Sequence, residues 1–329
     1  MRGDHLQMRY LHEKDLLTIG MNWDETTSVI EQAVRCLQQD DFAQPIKPYL
    51  RYGQEQNRII AMPAFVGGTI NQAGIKWIAS FPNNIQQGIP RAHSVTILNN
   101  ARNGVPEAII NTALLSVIRT ASVSGMIIKH YDNVRTLKDI TVGIIGWGPI
   151  GQYHFKMVTA LLGDRIKSIY LYDLSPIEIA TIDSSVKDKV IIAKGWKEAY
   201  QNSDIFITCT VSKAPYIDAK PKTGSLLLNV SLRDFTTDIF PYVKNSIIVD
   251  NWEEVCREKT DIESMHLHCG LQKEDTKSII NVVCDNAMSS YRDDQNIMFN
   301  PMGMAVFDIS MGHYFVRKAE ELKIGQLLE

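Results

Sequence analysis

A glycine-rich turn between a strand and a helix constrains the fold of this chain more than any other stretch. The apolar run 141–145 leads directly into Gly146-x-Gly148-x-x-Gly151, and a helical pattern follows. In such a turn Gly146 allows a tight reversal, Gly148 lets the backbone approach a pyrophosphate, and Gly151 lets the helix pack on the strand. The helix N-terminus also presents N–H groups and a partial positive charge to an anion. The sequence predicts a dinucleotide site here; the alternative is a glycine-rich turn without a ligand.

An alternation of strands and helices surrounds this turn. From about residue 137, apolar segments typical of buried strands alternate with helical patterns, at 141–145, 168–172, 190–193, 205–209, 226–230 and 247–249. Repeated units of this kind form a parallel sheet with helices on both faces. Ligands bind such a doubly wound sheet beyond the carboxyl ends of its strands, where the strand order reverses.

The first 125 residues follow a different pattern. A helix is predicted over 24–38, with Asp24 as its N-cap. Strand-like pieces at 59–62, 75–80 and 94–99 are separated by turns, and a long helix over 113–130 follows. A last helix, 304–322, is expected to return to this part. We therefore predict an α/β fold of two domains: an α+β domain, 1–125 plus 305–329, and a doubly wound Rossmann domain, 126–304.

Asp173 bears on the choice of dinucleotide. It ends the predicted strand 168–172 and follows Gly151 by 22 residues, where an acid can bind the adenosine ribose hydroxyls. A carboxylate there repels a 2′-phosphate, so NAD is favoured over NADP. The alternative is that Asp173 only caps a turn before Ser175.

Composition and charge exclude several classes of protein. The 329 residues carry a net charge of −3, which argues against a nucleic-acid surface. No apolar run approaches the roughly 20 residues of a membrane span. Residues 1–5 lack an apolar signal region, and the five cysteines lack paired spacing, so we expect a reducing, cytoplasmic location.

A short histidine-rich stretch looks at first like a metal site. His266, His268 and Cys269 lie together, but no spaced second pair of ligands accompanies them. We expect no metal, and place these residues at the edge of a strand or loop.

A series of short motifs along the whole chain resembles the ornithine cyclodeaminase/mu-crystallin family. Their order and spacing are more specific than any one of them; they are residues 44–47, 62–64, 74–76, 88–90, 119–121, the glycine turn, 204–210, Asp234, and Gly303-x-Ala305-x-x-Asp308. The resemblance implies a homodimer whose substrate domain comes from both chain ends. It also implies an NAD(P) domain inserted between them.

The resemblance assigns roles to particular residues. It implies that Lys47, Lys76 and Arg119 hold an amino-acid carboxylate, and that Asp234 is the catalytic acid–base group, with Lys76 also in the catalytic set. Lys47 stands where the family has arginine, so its single ammonium cannot grip a carboxylate bidentately, and Arg51 is the alternative for that task. The predicted cofactor contacts are Gly146, Gly148, Pro149, Ile150, Gly151, Asp173, Thr210, Ser212, Arg119, Ser231 and Pro301.

Departures from the family pattern indicate a more anionic substrate. The glycine pair and the Pro-Gly-Lys turn of cyclodeaminases are missing around Asp234, and arginines appear at 91 and 233. Arg91 and Arg233 would bind additional carboxylates through charge-assisted hydrogen bonds, unless they are solvated rim residues or one binds a cofactor phosphate. We expect oxidative cleavage of a substrate that joins glutamate to a diaminopropionate unit, within the siderophore branch of the family.

Two other functions are also compatible with the sequence. One is a different family activity: ornithine or lysine cyclodeaminase, ketimine reductase or alanine-type dehydrogenase. The other is a dinucleotide-binding protein of crystallin type without catalysis. Net NADH release distinguishes a dehydrogenase from both, since a cyclodeaminase returns its hydride.

Overall fold

The chain divides into two compact units. A computed structural model describes residues 7–54 and 56–329, without the side chain of Thr181. Unit 1 consists of the residues up to Val123 together with Gly303–Glu329, and unit 2 is Ser124–Met302. The divisions thus fall after 123 and 302, where the sequence placed them after 125 and 304. Residues 1–6, on which the expectation of no signal region rests, lie outside the described residues.

Unit 1 is built on a mostly antiparallel sheet. Its strands are β1 (Met8–His12), β2 (Phe42–Ala43), β3 (Tyr49–Leu50), β4 (Arg58–Val66), β5 (Gln72–Ser80), β6 (Ala92–Asn100), β7 (Pro106–Asn111) and β16 (Gln326–Leu328). The order is β16-β1-β7-β6-β5-β4-β2, with β3 also paired to β4. Among the described strands of unit 1, only the β1–β7 pair is parallel. Because strands alternate the direction of their side chains, each strand sends every second residue to the same face.

Helices cover one face of this sheet. The helices of unit 1 are α1 (Glu13–Ile19), α2 (Trp23–Gln38), the first part of α3 (Leu114–Arg135) and α10 (Ala305–Leu322). Helix α10 packs on β4, β5, β6 and α2. On the covered face Met62, Lys76 and Thr96 lie side by side in register and are buried. The sheet thereby turns a lysine toward α10.

The opposite face of the same sheet is apolar and half exposed. One row across it holds Pro63, Ile75, Ile97 and Ile109, and the next holds Ala61, Trp77 and Val95. Trp77 is 43% exposed. Large contiguous apolar patches on a protein surface often mark interaction sites.

Unit 2 is a fully parallel sheet flanked by helices. Its strands are β8 (Ile140–Ile145), β9 (Ile166–Tyr172), β10 (Val190–Ile192), β11 (Ile205–Thr208), β12 (Leu226–Asn229), β13 (Ile247–Val249), β14 (Lys277–Ser278) and β15 (Ile297–Asn300). The order is β10-β9-β8-β11-β12-β15-β13-β14. The order reverses between β8 and β11, so the doubly wound fold predicted from the alternating pattern is confirmed.

The remaining helices of unit 2 connect these strands. They are the end of α3, α4 (Pro149–Leu162), α5 (Trp196–Gln201), α6 (Phe240–Val243), α7 (Trp252–Val255), α8 (Asp261–Cys269) and α9 (Ile279–Cys284). No described helix is both long and apolar enough to cross a membrane.

Two local predictions are wrong, and some strands were not predicted. The N-cap of α2 is Asn22, whose side chain accepts the Glu25 N–H, and Asp24 lies inside the first turn. His266 and His268 belong to helix α8 rather than to a strand or loop edge, because Thr260 caps a helix just before them. The strand β15 was missed, since Asn296 to Asn300 offers too short an apolar run to separate from a loop.

The histidines of α8 have local partners. His266 Nδ1 lies 2.6 Å from the Leu271 carbonyl oxygen, and its ring packs edge-on against Trp252. Within the described part of the chain, no group of three His, Cys, Asp or Glu side chains has the arrangement of a metal site.

Candidate active site

The glycine turn has the close backbone approaches that its sequence predicts. Gly146 has φ +89°, and a Cβ there would lie 2.5 Å from the Cys209 carbonyl oxygen. A Cβ on Gly151 would lie 1.9 Å from the Gly146 carbonyl oxygen. Both contacts exclude any larger residue, since no real Cβ approaches a backbone atom so closely. The glycine turn therefore packs directly against the residue after β11, and the first turn of α4 packs directly against the glycine turn.

Gly148 differs because the space beside it is open. A Cβ at Gly148 would meet no atom within 4 Å. Gly148 is the N-cap of α4, and Pro149 occupies the first helical position, where its missing N–H removes no hydrogen bond. Open space at the start of a 14-residue helix, beside N–H groups that point outward, fits a phosphate group.

Asp173 lies directly beyond β9 and holds the glycine turn. One carboxylate oxygen accepts the Trp147 N–H at 2.6 Å, and the other accepts the Ser175 N–H at 2.7 Å. The second contact is the turn cap considered from the sequence, and the first ties the acid to the phosphate-binding turn. A carboxylate has about four acceptor positions, so two bonds leave room for ribose hydroxyls.

A buried network surrounds Asp234 at the same edge of the unit 2 sheet. The Asp234 side chain has no exposed surface. Thr210, after β11, donates to Asp234 Oδ1 at 2.5 Å, and Ser231, after β12, donates to Oδ2. Burial raises the pKa of Asp234 above its ordinary value, against the hydrogen bonds of Ser231, Thr210 and Thr208, which lower it. A raised pKa brings the carboxylate closer to the range a general base requires.

Two further predicted cofactor contacts lie near this edge. The Ser212 N–H donates to Thr210 Oγ1 at 3.2 Å, and the Ser212 hydroxyl donates to the Ala214 carbonyl oxygen. Pro301 directly follows β15 and is buried. Because parallel strands end at the same edge, the residues after β8, β9, β11, β12 and β15 all lie along one side of unit 2.

A second cluster lies inside unit 1 and consists of buried charges. Lys76 Nζ lies 2.8 Å from Asp308 Oδ2, and Arg119 Nε donates to Asp308 Oδ1 at 2.9 Å. Lys76 is 2% exposed, Arg119 7% and Asp308 0%. Lys47, also buried, donates to the Gly303 carbonyl oxygen at 2.8 Å. A Cβ on Gly303 would lie 2.8 Å from the Arg119 guanidinium, so glycine makes room for that side chain.

Positive charge predominates in this cluster. Burial lowers the pKa of Lys76 to about 8, with the charges of Arg119 and Lys47 acting in the same direction and Asp308 against them. Burial raises the pKa of Asp308, but the charges and hydrogen bonds of Arg119 and Lys76 outweigh it and lower that pKa below its ordinary value. Two buried cations that share one carboxylate are stabilised by a further anion.

The other predicted cations lie elsewhere. Arg51 is exposed and its guanidinium stacks over the Tyr49 ring at 5.3 Å, so Lys47 rather than Arg51 belongs to the buried cluster. Arg233 donates to the Glu258 carbonyl oxygen at 2.8 Å. Arg91 is half-buried on the turn before β6, where its carbonyl oxygen accepts the Phe81 N–H.

Three structurally central residues were not assigned a role from the sequence. Asp308 appeared only as part of a family motif, although an acid among the apolar residues of α10 was a signal of a buried ion pair. Asn229 and Asp261 bond each other at 3.0 Å beside Asp234. Their chain positions, 32 residues apart, gave no hint of this contact.

Comparison with known proteins identifies the family of this chain. The model of the ornithine cyclodeaminase/mu-crystallin family matches residues 12–323. A curated relative from Staphylococcus aureus, N-((2S)-2-amino-2-carboxyethyl)-L-glutamate dehydrogenase, is 32% identical to this chain and the match covers 98% of each. The chain therefore belongs to the ornithine cyclodeaminase/mu-crystallin family, and the resemblance drawn from the motifs is confirmed.

Solved structures share the whole fold. Δ(1)-pyrroline-2-carboxylate reductase of Thermococcus litoralis, in complex with NADH and L-proline, has a TM-score of 0.86 at 20% identity, covering 97% of this chain and 99% of that one. An archaeal alanine dehydrogenase dimer with bound NAD has a TM-score of 0.82 at 20% identity, covering 98% and 99%. At these identities the likeness shows the fold.

Proposed function

We propose that the protein is an NAD-dependent dehydrogenase that oxidises N-(2-amino-2-carboxyethyl)-L-glutamate and releases 2-oxoglutarate and L-2,3-diaminopropionate. The observation that carries the proposal is the buried cluster of unit 1, in which Lys76 and Arg119 share the single carboxylate of Asp308. Buried cations in excess of their carboxylate partner are costly for stability, and a bound anion offsets that cost. The glutamate α-carboxylate is the group that fits.

The cluster offers donors of two kinds for that carboxylate. Arg119 is tied to Asp308 through Nε, which leaves the two terminal nitrogens as a planar pair of donors. The ammonium groups of Lys76 and Lys47 add point charges. Binding of the carboxylate by these groups orients the Cα–H bond of the substrate. Positioning of this kind lowers a reaction barrier by several kcal/mol, with a maximum of about 7–11 kcal/mol.

Unit 2 supplies the cofactor site in this proposal. The turn from Gly146 to Gly151 and the start of α4 hold the pyrophosphate, and Asp173 accepts the adenosine ribose hydroxyls. Thr210, Ser212, Ser231 and Pro301 are the proposed contacts at the other strand ends. NAD, when bound, would accept the hydride that the substrate loses from its Cα.

Asp234 is the proposed general base. It takes one proton from the substrate secondary ammonium, so that the free amine can lose the Cα hydride and become an iminium, and it passes that proton to solvent. It then takes a proton from the water that attacks the iminium carbon and returns a proton to the leaving nitrogen. Hydrolysis breaks the C–N bond and completes the release of both products. The hydroxyls of Thr210 and Ser231 donate to the two oxygens of Asp234 and thereby fix the orientation of the carboxylate.

The proposed substrate is supported by the Staphylococcus aureus relative, whose name includes that compound. Arg91 and Arg233, which stand where the family has uncharged residues, supply two more cations for a tricarboxylate. We further propose that the diaminopropionate serves siderophore assembly. The cofactor and the five free cysteines favour the cytoplasm as the site of the reaction.

A panel of amines graded by carboxylate number tests the substrate class. With purified protein and NAD⁺, we expect kcat/KM to fall by at least tenfold from the tricarboxylate to L-glutamate, and further to L-alanine and L-ornithine. Each lost charged hydrogen bond is worth about 1.5–3 kcal/mol. A preference for L-ornithine without net NADH would identify a cyclodeaminase instead. Tight NADH binding with no turnover would identify a non-catalytic binder.

Replacing Asp173 with serine is expected to relax the cofactor preference. The ratio of kcat/KM for NAD over NADP should fall by roughly tenfold or more, because repulsion between two charges a few ångströms apart is worth about 1–4 kcal/mol near a protein surface. Steady-state kinetics with both cofactors measure the ratio. Asp183→Ser, an exposed acid of the same connection, is the control and should leave it unchanged. An unchanged ratio in Asp173→Ser would remove this residue from the cofactor site.

The apolar face of the unit 1 sheet supports a homodimer. We propose that a second copy of the chain covers the rows that include Ile75, Trp77, Val95 and Ile97, since the archaeal relative of the same fold is described as a dimer. Ile97→Glu is expected to give monomers in light scattering, whereas Ile85→Glu, at an exposed position outside the face, should remain a dimer. A dimeric Ile97→Glu would place the interface elsewhere.

A further inference from the structure

The loop that carries Asp234 has an unusual backbone. Directly after β12 the chain passes through Leu232 with φ +63°, a left-handed conformation that a branched apolar side chain rarely adopts. Such a conformation persists only where neighbouring groups hold it. The groups that hold Leu232 are Asn229, whose Oδ1 accepts the Leu232 N–H at 3.1 Å, and Asp261, whose N–H donates to the Leu232 carbonyl oxygen at 2.8 Å.

Asp261 also holds the other side of the loop. Its Oδ2 accepts the Phe235 N–H at 3.2 Å and an Asn229 amide hydrogen at 3.0 Å. Asp261 therefore bonds the chain on both sides of Asp234. Its main-chain N–H bonds the Leu232 carbonyl oxygen, and its side chain bonds the Phe235 N–H. Asp261 is 2% exposed and is the first residue of helix α8, where a carboxylate is favoured.

Asn229 completes the attachment to the sheet. It ends β12, and its amide group donates to Asn300 Oδ1 at 2.8 Å in addition to Asp261. Its Oδ1 also accepts from Thr208, which ends β11 and is bonded to Ser231. One amide thus connects the Asp234 loop to three neighbouring strand ends of the sheet.

We propose that Asp261, acting with Asn229, is the positioning residue that fixes the direction of the Asp234 carboxylate. This inference rests on the proposed role of Asp234 as the base. Asp261 bonds backbone groups on both sides of Asp234, and it is not among the proposed substrate or cofactor contacts. Its loss lets residues 232–235 relax from their strained path and turns the base away from its working direction.

Acceptor atoms, rather than negative charge, are what this role requires. Burial raises the pKa of Asp261 to about 7, and the charge of Asp234 acts in the same direction. A neutral side chain at 261 is therefore compatible with the fold near neutral pH. Asparagine keeps an oxygen for the Phe235 N–H and for Asn229, whereas alanine removes it.

Three variants test the assignment: Asp261→Ala, Asp261→Asn and the control Glu263→Ala. Glu263 lies in the same first turn of α8 but bonds the Lys259 N–H instead of the loop. For Asp261→Ala we expect kcat to fall by roughly 100-fold, the effect of about 1 Å of misplacement, with KM and the NADH dissociation constant unchanged within about threefold. Asp261→Asn and Glu263→Ala should stay within about threefold of the unchanged protein in all three quantities.

Hydrogen–deuterium exchange of residues 229–236 provides a readout that does not depend on turnover. Exchange should become faster in Asp261→Ala and stay slow in Asp261→Asn. Slow exchange in Asp261→Ala, or an asparagine variant as impaired as the alanine variant, would overturn the positioning role. A protein that fails to oxidise the tricarboxylate, yet shows the expected exchange pattern, would refute the proposed function and leave the loop attachment standing.

Discussion

Asp234→Asn is expected to lower kcat by about 10²–10⁴-fold, the usual contribution of a general base. Asparagine has nearly the same shape and keeps an oxygen that can accept from Thr210, but it cannot take a proton from the amine or from water. Because Asp234 does not hold the pyrophosphate or the substrate carboxylate, KM and the NADH dissociation constant should change by less than about threefold. Stopped-flow single turnovers would separate the chemical step from product release.

The matched control for this variant lies four residues further along the same loop. Asp238 is an exposed acid that accepts from the Thr236 hydroxyl. Asp238→Asn should leave kcat within about threefold of the unchanged protein. If Asp234→Asn retained comparable turnover, the base would have to be sought elsewhere, and the hydroxyls of Thr210 and Ser231 would serve only to anchor a structural acid.

Lys76→Met is expected to separate substrate binding from stability. Loss of one buried charged partner of the substrate carboxylate weakens binding by about 2–5 kcal/mol, so KM should rise roughly 30-fold or more. The free energy of unfolding without substrate should stay equal or rise, because methionine leaves Arg119 and Asp308 as a balanced pair and removes a charge that is costly to bury. Steady-state kinetics and urea unfolding, done on the same preparation, measure both quantities.

Asp308→Asn, in the same cluster, is expected to lower the free energy of unfolding. It leaves Lys76 and Arg119 buried without their shared carboxylate, and removal of one member of a buried ion group destabilises a protein by about 3–5 kcal/mol. Saturating substrate or another carboxylate ligand should recover part of that loss, since it supplies the missing anion. If Lys76→Met lost stability and kept its KM, the cluster would be a structural ion network rather than a carboxylate site.

Much of the fold was predictable because its signals are local. The doubly wound sheet follows from apolar strands that alternate with helices, and the glycine turn marks the end of its first strand. Helix α10 was placed almost to the residue by its apolar spacing. The N-cap of α2 was misjudged because Asn22 and Asp24 are both good caps and only the backbone conformation decides between them. Strand β15 was missed because a run of three apolar residues fits a loop as well.

The candidate site was predictable only in part. Lys76 and Arg119 stood out as charges inside apolar patterns, and the structure buries both beside one carboxylate. Their partner Asp308 lies 189 residues from Arg119, and contacts at that separation are set by the tertiary fold rather than by any local pattern. The same reason hid Asp261, which reaches the Asp234 loop from a different helix. Arg233, predicted to bind a substrate carboxylate, also donates to the Glu258 carbonyl oxygen, a contact between residues 25 positions apart that no local pattern indicates.

The proposed reaction couples reduction of NAD to cleavage of an N-substituted glutamate. The direct measurement is to mix purified protein with NAD⁺ and N-(2-amino-2-carboxyethyl)-L-glutamate, and to follow NADH and 2-oxoglutarate in the same sample. We expect the two products to appear together in equal amounts, with diaminopropionate as the third. NADH without 2-oxoglutarate, or neither product with this substrate while another amino acid is oxidised, would contradict the account.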